Sequence, residues 1–389
     1  MTDARTATIV GLGMSPQGRR LGVSPRELRR QAIDAALLDA GVGRELVDTC
    51  ICFGAQPEDL RYAGLSPRAS FALNSGGASP ALSVVVAAGL IATGQADCVL
   101  SVYGEAFTGA APRLEPNHGV AGRSDIGGYS YGYPYLYGLV GPGAVYAMAA
   151  RRYLGAHGAS SEDLAAVAVV ERAYGSVRPG AVGYGRPITV ADHQASRMIV
   201  DPLRLLDCSR PTDGGVAIVI TSAERAADCA GSPVAVLGSG CGHNIANWWD
   251  GTMDGRFGAA PDAARRAYAE AGAGPEDISV AQLYAPFTIA TLMQLEEYGF
   301  CGEGEAPAFV RDGHTGPTGR LPTNTGGGQH SGFYATGFTP LSEGVLQVRG
   351  QAPTNQVPDA ELCLVSGSGG NGGVHGSWAH VSLVLGRPR

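Results

Sequence analysis

The residues best placed to do chemistry lie between Leu73 and Glu105. Small residues come first, around Asn74, Ser75, Gly76, Gly77 and Ala78. The Ser79-Pro80 pair suits a helix start, and residues 82–91 follow with no charge on any face. A helix that is apolar all round is expected to be buried all round. The glycine-rich turn at its N-terminus then aims free backbone N–H groups and positive dipole into the protein's middle, a setting suited to an anion or a developing oxyanion. Eight cysteines stand at 50, 52, 98, 208, 229, 241, 301 and 363, with no CxxC and no paired histidine spacing, which argues against a metal site. His243, in a run of glycines from Gly238 to Gly242, reads equally as a turn-stabilising residue or a site residue.

The elements that must position these groups alternate between strand and helix. Residues 7–12 form a strand that ends in a glycine turn. Ser24 caps a helix with Pro25 at its first position and Gly41 at its end, and residues 47–53 and 98–102 are strands. This alternation calls for an α/β fold with a mainly parallel sheet. Residues 106–200 change character: they are rich in Gly, Pro and Tyr, densest at 127–137, with helical patches near 142–154 and 160–175. They read as an insertion that covers the site or an oligomer interface, or as ordinary loop packing. Residues 216–220 are a buried strand. From residue 233 the rhythm of the first half repeats: a helix at 261–272, a strand at 278–284, a helix at 288–298, an apolar segment to Val348, and closing strands at 362–366 and 379–385. Two similar halves, 1–232 and 233–389, imply duplication and a site at their seam.

At 389 residues, 44% hydrophobic and 16% charged, the chain suits two well-buried domains and not a disordered protein. A formal net charge of -7 with no basic run argues against a nucleic-acid partner. No uncharged run reaches membrane-spanning length and no apolar signal core opens the chain, so a soluble cytoplasmic protein is expected.

Five motifs, in this order and spacing, resemble the thiolase superfamily, in the branch of the sterol-carrier and lipid-transfer-protein thiolases, across essentially the whole chain. They are Leu73 to Pro80 with its apolar helix, Leu206 to Gly215 (LDCSRPTDGG), Gln282 to Phe287 (QLYAPF), Asn324 to Gly328 (NTGGG) and Gly367 to Gly373 (GSGGNGG). The resemblance implies two duplicated halves stacked as a five-layer αβαβα sandwich, with residues 106–200 as an inserted loop domain.

The departures from the family are chemical. A thiolase of this kind uses a cysteine at the N-terminus of the buried helix, and the aligned position here is Gly77. Ser79 is the nearest hydroxyl, with no partner base visible beside it. Tyr284 stands where the family has His or Asn, Tyr334 falls in the segment of the family's Gly-His-Pro histidine, and Ser366 or Ser368 stands near the place of the missing late cysteine. Two tyrosines facing each other across the seam make the chain similar to the steroid side-chain-cleaving aldolases of this branch. The resemblance implies retro-aldol cleavage of a β-hydroxyacyl-CoA to a ketone and a short acyl-CoA, such as a steroid 17-ketone and propionyl-CoA. One tyrosine, activated as tyrosinate, would take the hydroxyl proton and the other would protonate the enolate, helped by His330, His243, His118 or Arg210. Amides at Gly76 and Gly77, or at Gly326, Gly327 and Gly328, would hold the oxyanion, with Ser368 beside the substrate. The resemblance implies no bound cofactor or metal, CoA being part of the substrate. It also implies a homodimer and a small zinc-ribbon/OB-fold partner, together a heterotetramer. Two rivals are a non-catalytic scaffold subunit and an acyltransferase using Ser79.

Overall fold

Alternate glycines on two strands set how closely the outer helices ride. Strand β1 (Ala7–Met14) carries Gly11 and Gly13, and β8 (Val234–Asn244) carries Gly238, Gly240 and Gly242. A Cβ on Gly11 or Gly13 would strike the Ala36 or Ala32 carbonyl of helix α1 (Pro25–Ala40). On Gly238, Gly240 and Gly242 it would strike the carbonyls of Ala267, Ala263 and Ala259. Two strand residues advance about 6.8 Å and four helix residues about 6 Å, so every second strand position faces every fourth helix position. The same device occurs in both halves of the chain.

The structure, a computed structural model, describes residues 6–54, 57–109, 141–244, 259–369 and 378–388. His118, the tyrosine-rich run at 127–137 and most of the terminal glycines lie outside the described residues. The remaining strands are β2 (Thr49–Phe53), β3 (Ala69–Ala72), β4 (Cys98–Ala106), β5 (Met198–Val200), β6 (Leu203–Arg204), β7 (Asp213–Ser222), β9 (Val280–Gln282), β10 (Leu362–Gly369) and β11 (Trp378–Gly386). One nine-stranded sheet runs β3-β2-β4-β7-β1-β8-β11-β10-β9, and β5 pairs with β6 apart from it. The sheet is mixed where a mainly parallel one was expected: β2 pairs in parallel with β3 and β4, and β9 with β10, and the other pairings are antiparallel. The excursion from β4 to β7 leaves and re-enters at one end of the sheet, where Ala106 faces Asp213. The link from β10 to β11 is too short for a crossover helix.

Helices α2 (Ser79–Ala92) and α7 (Phe338–Arg349) lie at the centre and touch strands on both sides of the β1–β8 junction. Their apolar side chains join both half-sheets in one core. Helix α1 covers the outer face of one half-sheet, and α5 (Ala260–Ala271) covers the other. The layers run α1, half-sheet, α2 with α7, half-sheet, α5. Between β4 and β7 lie α3 (Gly141–His157) and α4 (Ser161–Val177), which pack on α6 (Thr288–Glu297). Among the described residues no helix is long and apolar enough to cross a membrane.

One expectation needs correction: α2 is not buried on every face. Ala81, Val84, Ala87 and Ile91 are buried, but Leu82, Val85, Val86 and Leu90 are half-exposed, and Phe71 on edge strand β3 is 40% exposed. The uncharged outer face of α2 is left open in a single chain.

Replacing Gly240 by Val should cost about 2–3 kcal/mol of unfolding free energy, because the side chain enters the α5 backbone. Gly155→Ala, in open space on exposed α3, should gain about 0.5–1 kcal/mol. Urea titration of both variants checks the close approach against the propensity effect.

Candidate active site

The two central helices begin in matching turns. In the first, the amides of Ala78 and Ser79 donate to the carbonyls of Ser75 and Gly76, and the Ser79 hydroxyl accepts from the Ser75 amide at 2.7 Å. In the second, the amides of Phe338 and Thr339 donate to Ala335 and Thr336, and the Thr339 hydroxyl accepts from the Ala335 amide at 2.9 Å. Both turns have a positive φ at the second residue, 56° at Gly76 and 50° at Thr336, and both put proline after the capping hydroxyl. Ser79 is therefore half of a symmetric pair of turn caps, buried and committed to its own backbone. That position does not suit a nucleophile.

Tyr284 follows β9 and is fixed by its backbone: its amide donates to Ser366 Oγ at 2.9 Å and its carbonyl accepts from Gln294 Nε2 at 2.8 Å. Ser366 in turn donates to Gln294 Oε1 at 2.6 Å. The tyrosine ring lies directly over Gly77, so that a Cβ there would fall on its Cζ, Cε1 and Cε2 atoms. The phenol therefore fills the space a side chain at residue 77 would take. Tyr334 directly precedes the second turn. Thr212 holds it at both backbone groups, accepting from its amide at 2.8 Å and donating to its carbonyl at 3.2 Å. The Tyr284 and Tyr334 hydroxyls stand 3.3 Å apart, longer than a usual O–H···O bond.

Two further tyrosines surround this pair. Tyr103 on β4 is 2% exposed, stacks between Phe53 and Phe338, and its hydroxyl has no partner among the described residues. Tyr146 on α3 shares a hydrogen bond with Ser368, whose hydroxyl is 3.3 Å from His380 Nε2. Burial pushes His380 down to about 3, so its ring is neutral near neutral pH. Tyr103 and Tyr146 each couple electrostatically to Tyr284 and Tyr334.

Burial pushes both site phenols above their usual range. At Tyr284 the neighbouring phenols of Tyr334, Tyr146 and Tyr103 act in the same direction as burial. Either hydroxyl can be the donor in the bond between them. Among the described residues no charged group couples to the pair. His330 is bonded through Nδ1 to the buried Glu171 carboxylate, His243 is exposed on β8 opposite Ala379, and the Arg210 amide donates to the Gln329 carbonyl.

The two proposed oxyanion turns differ in setting. Gly77 is buried under the Tyr284 ring. Gly327, with φ 90°, packs on the backbone of Gly175, and a Cβ on Gly328 or Gly326 would meet the Glu171 or Glu343 carboxylate. Both carboxylates are taken up locally, Glu171 by His330 and Asn324 and Glu343 by Arg178 and Thr325, while Gly77 is the glycine that lies against the Tyr284 ring. Among the described residues no group of three or more metal-ligating side chains forms. Glu171, Gln294, Thr212, Tyr103 and Tyr146 were not singled out from sequence. Only Thr212 lay inside a motif, and the others are scattered through helices and a strand.

Gly77→Ala should destabilise the fold by about 1–3 kcal/mol, through overlap with the Tyr284 ring. In a Tyr284→Ala background the cost should fall below about 1 kcal/mol, and a double-mutant cycle by urea unfolding reads the difference. Equal costs in both backgrounds would mean that the ring does not fill this space.

Comparison with known proteins identifies the family. Residues 246–387 match the family model for a thiolase C-terminal domain-like unit. The chain is 38% identical to a 17-hydroxy-3-oxo-4-pregnene-20-carboxyl-CoA lyase of Mycobacterium tuberculosis, over 94% of this chain and 96% of that one. It is also 38% identical to a steroid side-chain-cleaving aldolase of Thermomonospora curvata, over 94% and 95% of the two chains. A solved Ltp2-ChsH2(DUF35) aldolase superposes with a TM-score of 0.88 at 35% identity, covering 99% of this chain and 98% of that one. The chain belongs to the thiolase superfamily, in the sterol-carrier-protein branch that includes the steroid side-chain-cleaving aldolases.

Proposed function

We propose that this protein is a carbon–carbon lyase that cleaves a β-hydroxyacyl-CoA by retro-aldol chemistry. The observation that carries the reading is the Tyr284–Tyr334 pair, with the Tyr284 ring standing over Gly77 where the related thiolases keep their nucleophile. The substrate class is a 17-hydroxy steroid bearing a short CoA-activated side chain, split into a 17-ketone and propionyl-CoA.

Retro-aldol cleavage moves one proton from the β-hydroxyl to the α-carbon, while the Cα–Cβ electron pair becomes the enolate and then the new C–H bond. Two neutral phenols in line can pass that proton without a tyrosinate. Tyr334 accepts the hydroxyl proton and gives its own to Tyr284, and Tyr284 delivers a proton to the enolate carbon. Either hydroxyl can donate to the other, so the same relay runs with the two tyrosines exchanged. The amides of Gly76 and Gly77 hold the thioester oxygen as it gains charge. No electron leaves the substrate, so the step calls for no redox group, and CoA enters as part of the substrate.

The proposed assembly is a homodimer through the open face of α2 and the edge of β3, joined by two copies of a DUF35 partner of the zinc-ribbon/OB-fold kind. The half-exposed Val85, Val86 and Leu90 beside an unpaired strand edge support it, because such an edge is ordinarily covered. A cytoplasmic setting goes with the reading.

Tyr284→Phe and Tyr334→Phe should each lower kcat by about 10²–10⁴-fold on a 17-hydroxy steroid side-chain CoA thioester, with the DUF35 partner present. Cleavage that survives both changes would remove the tyrosines from the mechanism. The pH profile separates the relay from a tyrosinate base. An ionised base with a raised pKa makes kcat climb about tenfold per pH unit on the acid side, whereas the relay gives a kcat flat from about pH 6 to 9. Phe71→Glu should convert a dimer to a monomer in light scattering.

A further inference from the structure

Strand β4 turns alternate side chains into the layer of the central helices. Ser101 is one of them: its hydroxyl donates to Ser83 Oγ on α2 at 2.7 Å, and Ser83 donates to the Pro80 carbonyl at 2.6 Å. Tyr103, two residues on, faces the same way. Strand β2 pairs in parallel with both β3 and β4, and α2 connects those two strands, so α2 carries the chain back against the direction of β4. Two residues along β4, about 7 Å, therefore bring Tyr103 level with the start of α2, about one turn before Ser83. Its ring also stacks on Phe338, the first residue of α7, with centroids 6.3 Å apart. Tyr103 thus stands where both central helices begin. Phe107, four residues further along the chain, meets the Tyr334 ring edge-on at 5.9 Å.

The hydroxyl is not accounted for by this packing. Between Phe53, at 5.5 Å, and Phe338, a plain phenyl ring would serve as well. Tyr103 is 2% exposed, and among the described residues its oxygen has no hydrogen-bond partner. Other buried tyrosines differ: the Tyr174 hydroxyl donates to the Thr315 carbonyl and the Tyr268 hydroxyl to the Tyr298 carbonyl. A buried hydroxyl without a partner has given up its bonds to water for nothing, and it opposes folding unless a ligand supplies the bond. The stacked rings on its two faces fix the direction in which this hydroxyl points. Burial, with Glu105 and Tyr334 acting in the same direction, holds the phenol well above its usual range, so it stays protonated and serves as a donor.

We propose that Tyr103 is a substrate-binding residue that donates a hydrogen bond to the β-oxygen at the scissile bond. The assignment rests on the retro-aldol reading above. In that reading the amides of Gly76 and Gly77 hold the thioester oxygen, while Tyr284 and Tyr334 move the proton. The β-oxygen is then left without a fixed donor once its own proton has gone. It gains negative charge at that moment, and it becomes the ketone oxygen as the Cα–Cβ electron pair passes to the α-carbon. A phenol that keeps its proton stabilises this oxygen throughout the step and itself exchanges nothing.

The test crosses a deletion in the protein with a deletion in the ligand. The ligands are a 17-hydroxy steroid side-chain CoA thioester and its 17-deoxy counterpart. The protein, with its DUF35 partner, carries Tyr284→Phe so that the ester is held and not consumed. In calorimetric titration, adding Tyr103→Phe should weaken binding of the hydroxy ester about tenfold and leave the deoxy ester unchanged. With Tyr284 intact, Tyr103→Phe should lower kcat about 10²-fold. The urea midpoint of that variant should hold or rise, because no contact within the protein is lost. Equal weakening of the two esters would overturn the assignment, as would no weakening of either. So would a fall in the urea midpoint, since the hydroxyl would then serve the fold. A Tyr103-dependent preference for the hydroxy ester, in a protein whose wild type cleaves no β-hydroxyacyl-CoA, would keep the contact and remove the lyase reading.

Discussion

The site depends on one steric fact: the Tyr284 ring occupies the volume over Gly77. Only a residue without a side chain leaves room for it, and only a fixed backbone keeps it there. Ser366 and Gln294 fix that backbone from β10 and α6, while Thr212 fixes Tyr334 from the start of β7. Gly337, and Gly367 and Gly369 on β10, let two other segments pack against the same turn, where a Cβ on any of them would press on the backbone of residues 75–78. Packing this dense allows little drift in the phenol. The change that removes a nucleophile and the change that brings in a proton carrier are thus one structural event.

The electrostatics are arranged in zones. Neutral phenols line the centre, where burial discourages charge. Beneath the second turn, Glu171 is hydrogen-bonded to His330 and Arg178 forms a buried ion pair with Glu343, and the remaining acceptors are satisfied by Asn324 and Thr325. These pairs bind the glycine turn to α4 and α7 and do not reach the tyrosines. Beside that turn the buried Arg172 donates to the Ser331 hydroxyl and the Arg186 carbonyl.

Duplication links the fold to the site. The glycine ladders under α1 and α5, and the paired turns before α2 and α7, are the same solution used twice. The pair of reacting groups breaks this symmetry. Tyr334 stands one residue before the second turn, where the first has Asn74, and Tyr284 reaches over the first turn from the other half of the chain. An active centre at the seam of a duplicated chain gains two positions that sequence symmetry alone would make equivalent.

The sequence by itself determined the class of the fold, because periodicity, caps and glycine stops are local. Ser24 and Gly41 bound α1 as read, and the strands at 49–53, 98–106 and 213–222 appear where the apolar runs fall. It also marked residues 77, 284 and 334, because their types depart from a recognisable family pattern. Tertiary structure decided the rest. Strand direction follows from where connections leave the sheet, so mixed pairing was invisible in an α/β rhythm. Whether an apolar helix is covered on all sides depends on neighbours, and α2 keeps an open face. Ser79 looked like a spare hydroxyl until its bond to the Ser75 amide showed a cap. The charge state of the phenols, the isolation of His330, and the gathering of Tyr103 and Tyr146 all arise from contacts between residues far apart in sequence. Burial and proximity, which set those properties, exist only in the folded chain.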